Sequence, residues 1–357
     1  MKILKAEFWT EKIPLTRPYT IAYQTSDSVE NIFVRLIGEK GRVGIGVASP
    51  AESVTGESFD SCRVALATHL EALVLHKTVS PNLIWDIQQT LKANPAACAT
   101  IDIAIHDLWG KMLQLPLAKL FGQVHTSLPT SITIGIKETI AAAVEEAVEY
   151  KERKFKIIKL KVGLEVEKDI EIITKIKEVV GSDMLIRVDA NQGYSKQALL
   201  QFLHATSNLD VEFVEQPFKT TATEDLLSLP ESIRKKMMAD ESLQKPIDAI
   251  RHAVPPHAFG IYNIKLMKCG GIRAGMDIGR IAYHGGIDLM WGCMDESCVS
   301  ISAALHAAFA SPNTKYIDLD GSFDLARDPF QGGFILENGY MRITDKPGLG
   351  VEMKSEL

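Results

Sequence analysis

Three acidic residues recur at nearly even spacing along this chain: Asp189 in RVDAN, Glu215 in FVEQP and Asp240 in MADES. The intervals are 26 residues (215 − 189) and 25 residues (240 − 215). Each acid closes a short run rich in β-formers: Met184-Leu-Ile-Arg-Val188, Val211-Glu-Phe-Val214 and Met237-Met-Ala239. A strand and its helix take roughly 31 residues in a (β/α)8 barrel of about 250 residues. The acids are therefore expected at the C-terminal tips of three successive parallel strands that converge on one mouth. Carboxylates crowded there would repel and partly protonate unless a cation compensates them. Oxygen-only ligation with room for waters suits Mg2+. Asp189, Glu215 and Asp240 are thus candidate magnesium ligands.

Lysines extend the series on both sides. Lys159-Leu-Lys161 closes the strand-like run Phe155-Lys-Ile-Ile158, and Lys161 lies 28 residues before Asp189 (189 − 161). Lys265 follows Asp240 by 25 residues (265 − 240). Strands two and six of a round barrel face each other, so one amine would stand on either side of a metal-bound substrate. That is a geometry for moving a proton from one face of a carbon acid to the other. Near a dication and other ammoniums, a lysine pKa is expected to fall, which favours the neutral amine that a base must be.

The rest of the chain fits this frame. Residues 1–125 read as an α+β capping domain: alternating strands, then helical periodicity over 57–77, 80–93 and 95–114. From Leu128 the rhythm becomes strand, helix, strand, with Ser131–Gly135 as the first strand and Lys315–Asp320 as the eighth. Residues 126–324 are the expected barrel, and 325–357 a tail that packs back on the capping domain and completes it. The fold class is α/β, a modified (β/α)8 barrel with that cap. A solenoid also has repeats of this length, but side-chain identities do not recur between units.

Composition narrows the function classes. A net charge of −6 and no basic patch exclude a nucleic-acid footprint. There is no run of apolar residues long enough to span a membrane and no apolar signal segment at Met1–Ala6, so the expected location is the cytoplasm. Five cysteines without zinc spacing suggest reduced thiols. A homo-oligomer is compatible with the sequence, which does not set the oligomeric state.

Taken in barrel order, Lys-Leu-Lys, Val-Asp-Ala-Asn-Gln, Val-Glu-Gln-Pro, Met-Ala-Asp-Glu-Ser and Asn-Ile-Lys-Leu-Met-Lys-Cys-Gly-Gly resemble the enolase superfamily. The paired lysines are similar to its muconate-lactonizing group, and Asp318-Leu-Asp320 narrows the likeness to dipeptide epimerases. The resemblance covers the whole chain, including Asp102-Ile-Ala-Ile-His-Asp-Leu-Trp-Gly-Lys111 and the Pro-Gly-Leu-Gly tail. It implies Mg2+-dependent epimerisation at the C-terminal α-carbon of an L,L-dipeptide. Lys161 and Lys265 would act as opposed bases, with an enediolate stabilised by the metal and by Lys159. Asp318 and Asp320 would anchor the substrate α-ammonium. Glu296 would be structural, Lys268 would face a helix, and Asn191 is either a ligand-side amide or a plain turn residue.

Specificity is expected to come from the loops of the cap and of strand seven. Ala22-Tyr23-Gln24 stands where Ala-Glu-specific relatives carry an arginine, so no guanidinium awaits an acidic side chain. Glu52 and Asp295 add negative charge, and with Tyr23 and Gln24 they are candidate substrate contacts. The balance points to a cationic dipeptide. The alternatives are Ala-Glu epimerisation and a cycloisomerase or o-succinylbenzoate synthase type of reaction, whose substrates lack an α-ammonium.

Overall fold

A computed structural model of the chain describes residues 2–21, 24–76 and 78–355, with the side chains of 21, 24, 75 and 76 outside that description. Two long strands, Ile3–Ile21 and Gln24–Gly38, pair antiparallel, and Val43–Ala48 adds a third. Three helices follow at Phe59–His76, Pro81–Thr90 and Pro95–Leu113. The last of them lies flush on the sheet because Val43-Gly-Ile-Gly-Val47 presents hydrogens there. A Cβ at Gly46 would stand 1.9 Å from the Thr100 carbonyl oxygen, and one at Gly44 2.1 Å from that of Ala104. The helix is buried almost throughout, so it joins the cap to the barrel on several sides.

Two aspartates on that helix make the joints. Asp102 accepts the Ile272 N–H at 2.7 Å, at the start of the barrel helix Ile272–Gly285. Asp107 accepts the Ile45 N–H and the Leu349 N–H, each at 2.9 Å, so one carboxylate ties the cap sheet to the tail. The tail pairs with itself (Phe330–Gly332 with Val351–Met353), and its hairpin Phe334–Ile343 joins Leu128–Pro129. Phe330 stacks on Phe33 of the cap, with ring centroids 5.3 Å apart.

Eight parallel strands form the second body, in sequence order. They are Ile132–Ile134, Ile157–Lys161, Leu185–Asp189, Val211–Glu215, Met237–Ala239, Ile261–Lys265, Asp288–Gly292 and Thr314–Asp318. The ring closes through a parallel bridge between Thr130 and Ile317. Register brings the expected residues level: Lys161 pairs with Asp189, and Asp189 with Glu215. On the opposite side Lys265 pairs with Gly292, and Gly292 with Asp318.

The long cap hairpin reaches over this C-terminal face. Thr16 donates its N–H to the Asp324 carbonyl at 2.7 Å, Ala326 to Pro14 at 2.8 Å, and Ile136 to Thr20 at 2.8 Å. Arg17 pairs with Glu149 at 3.0 Å and reaches Glu146 at 3.5 Å on the first barrel helix, Ile140–Glu152. The hairpin is thereby fixed to the ends of strands eight and one, beside the mouth.

Candidate active site

Alternation along a strand sends residues two apart to the same side, so Lys159 and Lys161 both enter the barrel while Leu160 packs outward. Lys161 Nζ stands 2.6 Å from Asp189 Oδ2. Lys265 Nζ, from the sixth strand, stands 3.0 Å from Asp240 Oδ2. Between them, carboxylate oxygens of Asp189, Glu215 and Asp240 all lie within 4.8 Å of one another, and all three residues are buried. The three acids expected to converge do so, with an amine on each side.

Neighbouring polar groups hold the acids in place. Asn263 donates to Glu215 Oε1 at 2.6 Å. Asp240 donates its backbone N–H to Gln216 Oε1 at 3.0 Å. Lys268, expected against a helix, is instead buried under the site and donates to the Asp240 carbonyl at 2.6 Å and to its Oδ1. The spacing of three between Lys265 and Lys268 hid this, because the chain turns into a short helix, Leu266–Cys269, immediately after the strand. Asn191 sits in a left-handed turn (φ 41°), donating its N–H to Asp189 Oδ1 at 3.0 Å and its amide to Glu241 at 3.4 Å.

The electrostatics show a deficit of positive charge at the acids. Burial pushes the Glu215 carboxyl up and Asp189 pushes it further. Burial also pushes Asp240 up, but Lys265 and Lys268 outweigh it and hold it well below the usual range. The lysines respond to the same acids. Burial pulls Lys161 down, yet Asp189 outweighs it and leaves the amine above its ordinary value; Lys265 is likewise raised, by Asp240. These ammoniums neutralise the acids that a cation would otherwise neutralise. Three close, buried, oxygen-only ligands with one carboxyl still under-compensated fit a hard divalent ion such as Mg2+.

Strand eight ends at Asp318, two residues before the expected end at Asp320, and the two aspartates divide the labour. Asp318 is spent inside the protein, 2.8 Å from Lys159 Nζ and 2.5 Å from the Ser131 hydroxyl. Beneath it, buried Arg187 donates to Ser131 Oγ at 3.2 Å and to the Ile317 carbonyl at 2.8 Å. Lys159 also pairs with Glu215 at 2.7 Å and lies 3.5 Å from Asp189. Among the described residues, Asp320 accepts the Thr133 N–H at 2.7 Å and a weak, long contact from Cys293. Burial, then Asp318, then Asp324 push its carboxyl up to about 7.

Lys159, Lys161, Asp240, Lys265, Asp318 and Asp320 line a cavity of about 880 Å³. Its lining includes both facing lysines, Asp295, Asp320 and, on the cap side, Tyr19 and Glu52. Asp295, after strand seven, is pushed up to about 7 by burial and then by Asp320. Glu52 is exposed at the rim. Tyr23 lies outside the described residues, as does the Gln24 side chain. Glu296 turns inward and accepts the Met294 N–H at 2.9 Å, away from the cavity lining. Sequence reasoning missed Asp324, which also lines the cavity; the only signal was its place four residues beyond Asp320. All five cysteines are free thiols, and among the described residues no helix is long and apolar enough to cross a membrane.

Comparison with known proteins agrees with this geometry. Residues 4–122 match the mandelate racemase / muconate lactonizing enzyme N-terminal domain, and residues 141–357 match the enolase C-terminal domain-like family. The chain is 53% identical over 357 residues to the L-Lys-D/L-Arg epimerase of Desulforapulum autotrophicum, covering 99% of each. The crystal structure of a dipeptide epimerase from Methylococcus capsulatus, complexed with Mg and L-Arg-D-Lys, superposes with a TM-score of 0.96 at 46% identity, covering 98% of this chain and 99% of that one. A dipeptide epimerase from Enterococcus faecalis, complexed with Mg and L-Leu-L-Tyr, gives 0.91 at 34% identity, covering 98% and 99%. The chain belongs to the mandelate racemase / muconate lactonizing enzyme family of the enolase superfamily, and within it to the dipeptide epimerases.

Proposed function

We propose that this protein epimerises the C-terminal α-carbon of L,L-dipeptides and prefers dipeptides with positively charged side chains. The observation that carries the reading is the pair Lys161 and Lys265, on opposed strands, flanking three converged carboxylates. Asp189, Glu215 and Asp240 would hold Mg2+, which when bound supplies Lewis-acid stabilisation of the negative charge developing on the substrate carboxylate.

The chain's own residues do the rest. One lysine, as the free amine, takes the α-proton, and the C–H electron pair moves toward the carboxylate. The opposite lysine, as the ammonium, returns a proton to the other face, so the centre inverts with no net proton change. Lys159 adds a fixed positive charge beside the same carboxylates, already oriented before the reaction. Asp320 receives the α-ammonium, because Asp318 is committed to Lys159. Asp295 and Glu52 lend the cavity a negative lining that favours cationic side chains over acidic ones.

The relatives support this reading through what they act on: the Desulforapulum protein is a Lys-Arg epimerase, and the Methylococcus structure holds L-Arg-D-Lys. A cycloisomerase would leave the acidic end of the cavity without a role. The test is a library of L,L-dipeptides incubated with enzyme and Mg2+ in heavy water, read by mass spectrometry for α-deuterium. Exchange strongest in Lys- and Arg-containing dipeptides is expected. L-Ala-L-Glu as the best substrate would overturn the cationic preference, and no exchange in any dipeptide would overturn the activity.

A further inference from the structure

Among the described residues, six carboxylates lining the cavity form no ion pair: Glu30 and Glu52 on the cap, Glu241 next to Asp240, and three on the loops after strands seven and eight, Asp295, Asp320 and Asp324. Asp240 and Asp318 are paired with lysines, as described above. Among the described residues, no ion pair reaches Asp295, Asp320 or Asp324. Arg17, the guanidinium that acts most on Asp324, is held by Glu149 and Glu146. The three acids also form an order. Asp295 feels Lys161 and Lys265, and Asp320 feels Lys159, whereas the groups acting on Asp324 are Asp295, Arg17, Glu146 and Arg153. Asp320 is tied to Thr133 of the first strand, whereas Asp324, four residues farther along the chain, is held at the cap hairpin by Thr16, so Asp324 stands farther from the reacting carbon than Asp320.

A dipeptide laid along this order has its C-terminal α-carbon between the lysines and its α-ammonium at Asp320. The N-terminal side chain leaves from the carbon that carries the ammonium, so it extends past Asp320. On the proposed epimerase reading, we infer that Asp324 is the residue that selects the N-terminal side chain, pairing with the ammonium or guanidinium of a lysine or arginine at that position. Glu52 is at the cap rim and not in this chain of acids, so the two ends of the substrate are read by different carboxylates.

Two features suit Asp324 to the task. Its backbone is fixed from both sides: its carbonyl accepts the Thr16 N–H from the cap hairpin at 2.7 Å, and the turn before it closes through the Phe323 N–H to Asp320 carbonyl bond at 2.8 Å. A carboxylate on so fixed a backbone loses little entropy when it pairs. Burial and then Asp295 also push its carboxyl up to about 6, so the free cavity is short of one positive charge that a cationic side chain would bring. A neutral N-terminal residue leaves that deficit in place.

The experiment compares kcat/KM for L-Lys-L-Ala, L-Ala-L-Lys and L-Ala-L-Ala in the wild-type enzyme with Mg2+, in Asp324→Asn and in Asp324→Lys. Loss of a charge-assisted hydrogen bond corresponds to roughly tenfold or more. Asp324→Asn is expected to lower L-Lys-L-Ala by at least about tenfold more than L-Ala-L-Ala, mainly through KM, with L-Ala-L-Lys following L-Ala-L-Ala. Asp324→Lys is expected to turn the enzyme toward L-Glu-L-Ala over L-Lys-L-Ala. An equal loss on all three substrates, or a larger one on L-Ala-L-Lys, overturns the assignment while leaving the epimerase reading intact. A wild-type enzyme that epimerises none of them overturns both.

Discussion

Lys159 Nζ lies 2.8 Å from Asp318 Oδ2, a buried ion pair that joins the second barrel strand to the eighth. It converts a pair of aspartates that look equivalent in sequence into one structural and one available group. Asp320→Asn should therefore raise KM for every dipeptide by roughly tenfold or more, as a charge-assisted contact to the α-ammonium is lost. Asp318→Asn should act differently. It leaves Lys159 partly uncompensated, so it should lower kcat and cost on the order of 3 kcal/mol of stability. Steady-state kinetics with urea unfolding separate the two; equal effects of both variants on KM alone would refute the division.

Lys161 and Lys265 are each expected to be indispensable for net inversion. Lys161→Ala and Lys265→Ala should abolish epimerisation, while each variant still exchanges the α-hydrogen of one stereoisomer in heavy water, because one face keeps its amine. Proton NMR of each dipeptide isomer reads this directly. Wild-type epimerisation by either variant would rule out two opposed bases.

Divalent metal should act on stability as well as on rate. Asp189, Glu215 and Asp240 repel one another in the folded protein, so an ion bound only there stabilises the fold by mass action, about 2.7 kcal/mol at a hundred times Kd. Chelation should abolish activity and lower Tm, and Mg2+ should restore both. In Asp240→Asn the Tm should respond far less to Mg2+. An unchanged Tm response in that variant would place the ion elsewhere.

Affinity for cationic dipeptides should depend on pH near neutrality. Asp295 and Asp320 are each pushed up to about 7, first by burial and then by a neighbouring aspartate. A carboxyl raised to that value is neutral below it, so the charge that attracts a cation is present above about pH 7 and lost as the pH falls through it. Calorimetry should show weaker binding at about pH 6 than at about pH 8, with proton release on binding at the lower pH. Asp295→Asn should flatten the curve for L-Lys-L-Arg more than for L-Ala-L-Ala. A curve that rises toward low pH would contradict the raised carboxyls.

Much of the architecture was legible in the linear chain because barrels are periodic. Strand ends recur at a nearly fixed interval, so Lys161, Asp189, Glu215, Asp240 and Lys265 could be assigned to successive tips from spacing alone. In the folded chain Lys161, Asp189 and Glu215 are in-register neighbours, and Asp240 lies just past the fifth strand. The whole-chain resemblance supplied the chemistry that spacing could not.

Other features depended on contacts between residues far apart in the chain. Lys268 looked like a helix-facing residue, yet a turn directly after the sixth strand swings its amine onto Asp240, 28 residues earlier (268 − 240). Asp318 ends strand eight and Asp320 lies two residues beyond it, but only the second is left without an ion pair, because Lys159 of strand two and Ser131 meet the first. The lysine pKa directions follow the same rule: neighbouring acids, invisible as neighbours in sequence, outweigh burial. Asp324 became a candidate only when the cap hairpin folded over strand eight and made one cavity of two domains. Local sequence set which residues end the strands; which charges remained available for a substrate was decided by long-range pairing, since a charge is free only if no partner from elsewhere in the fold reaches it.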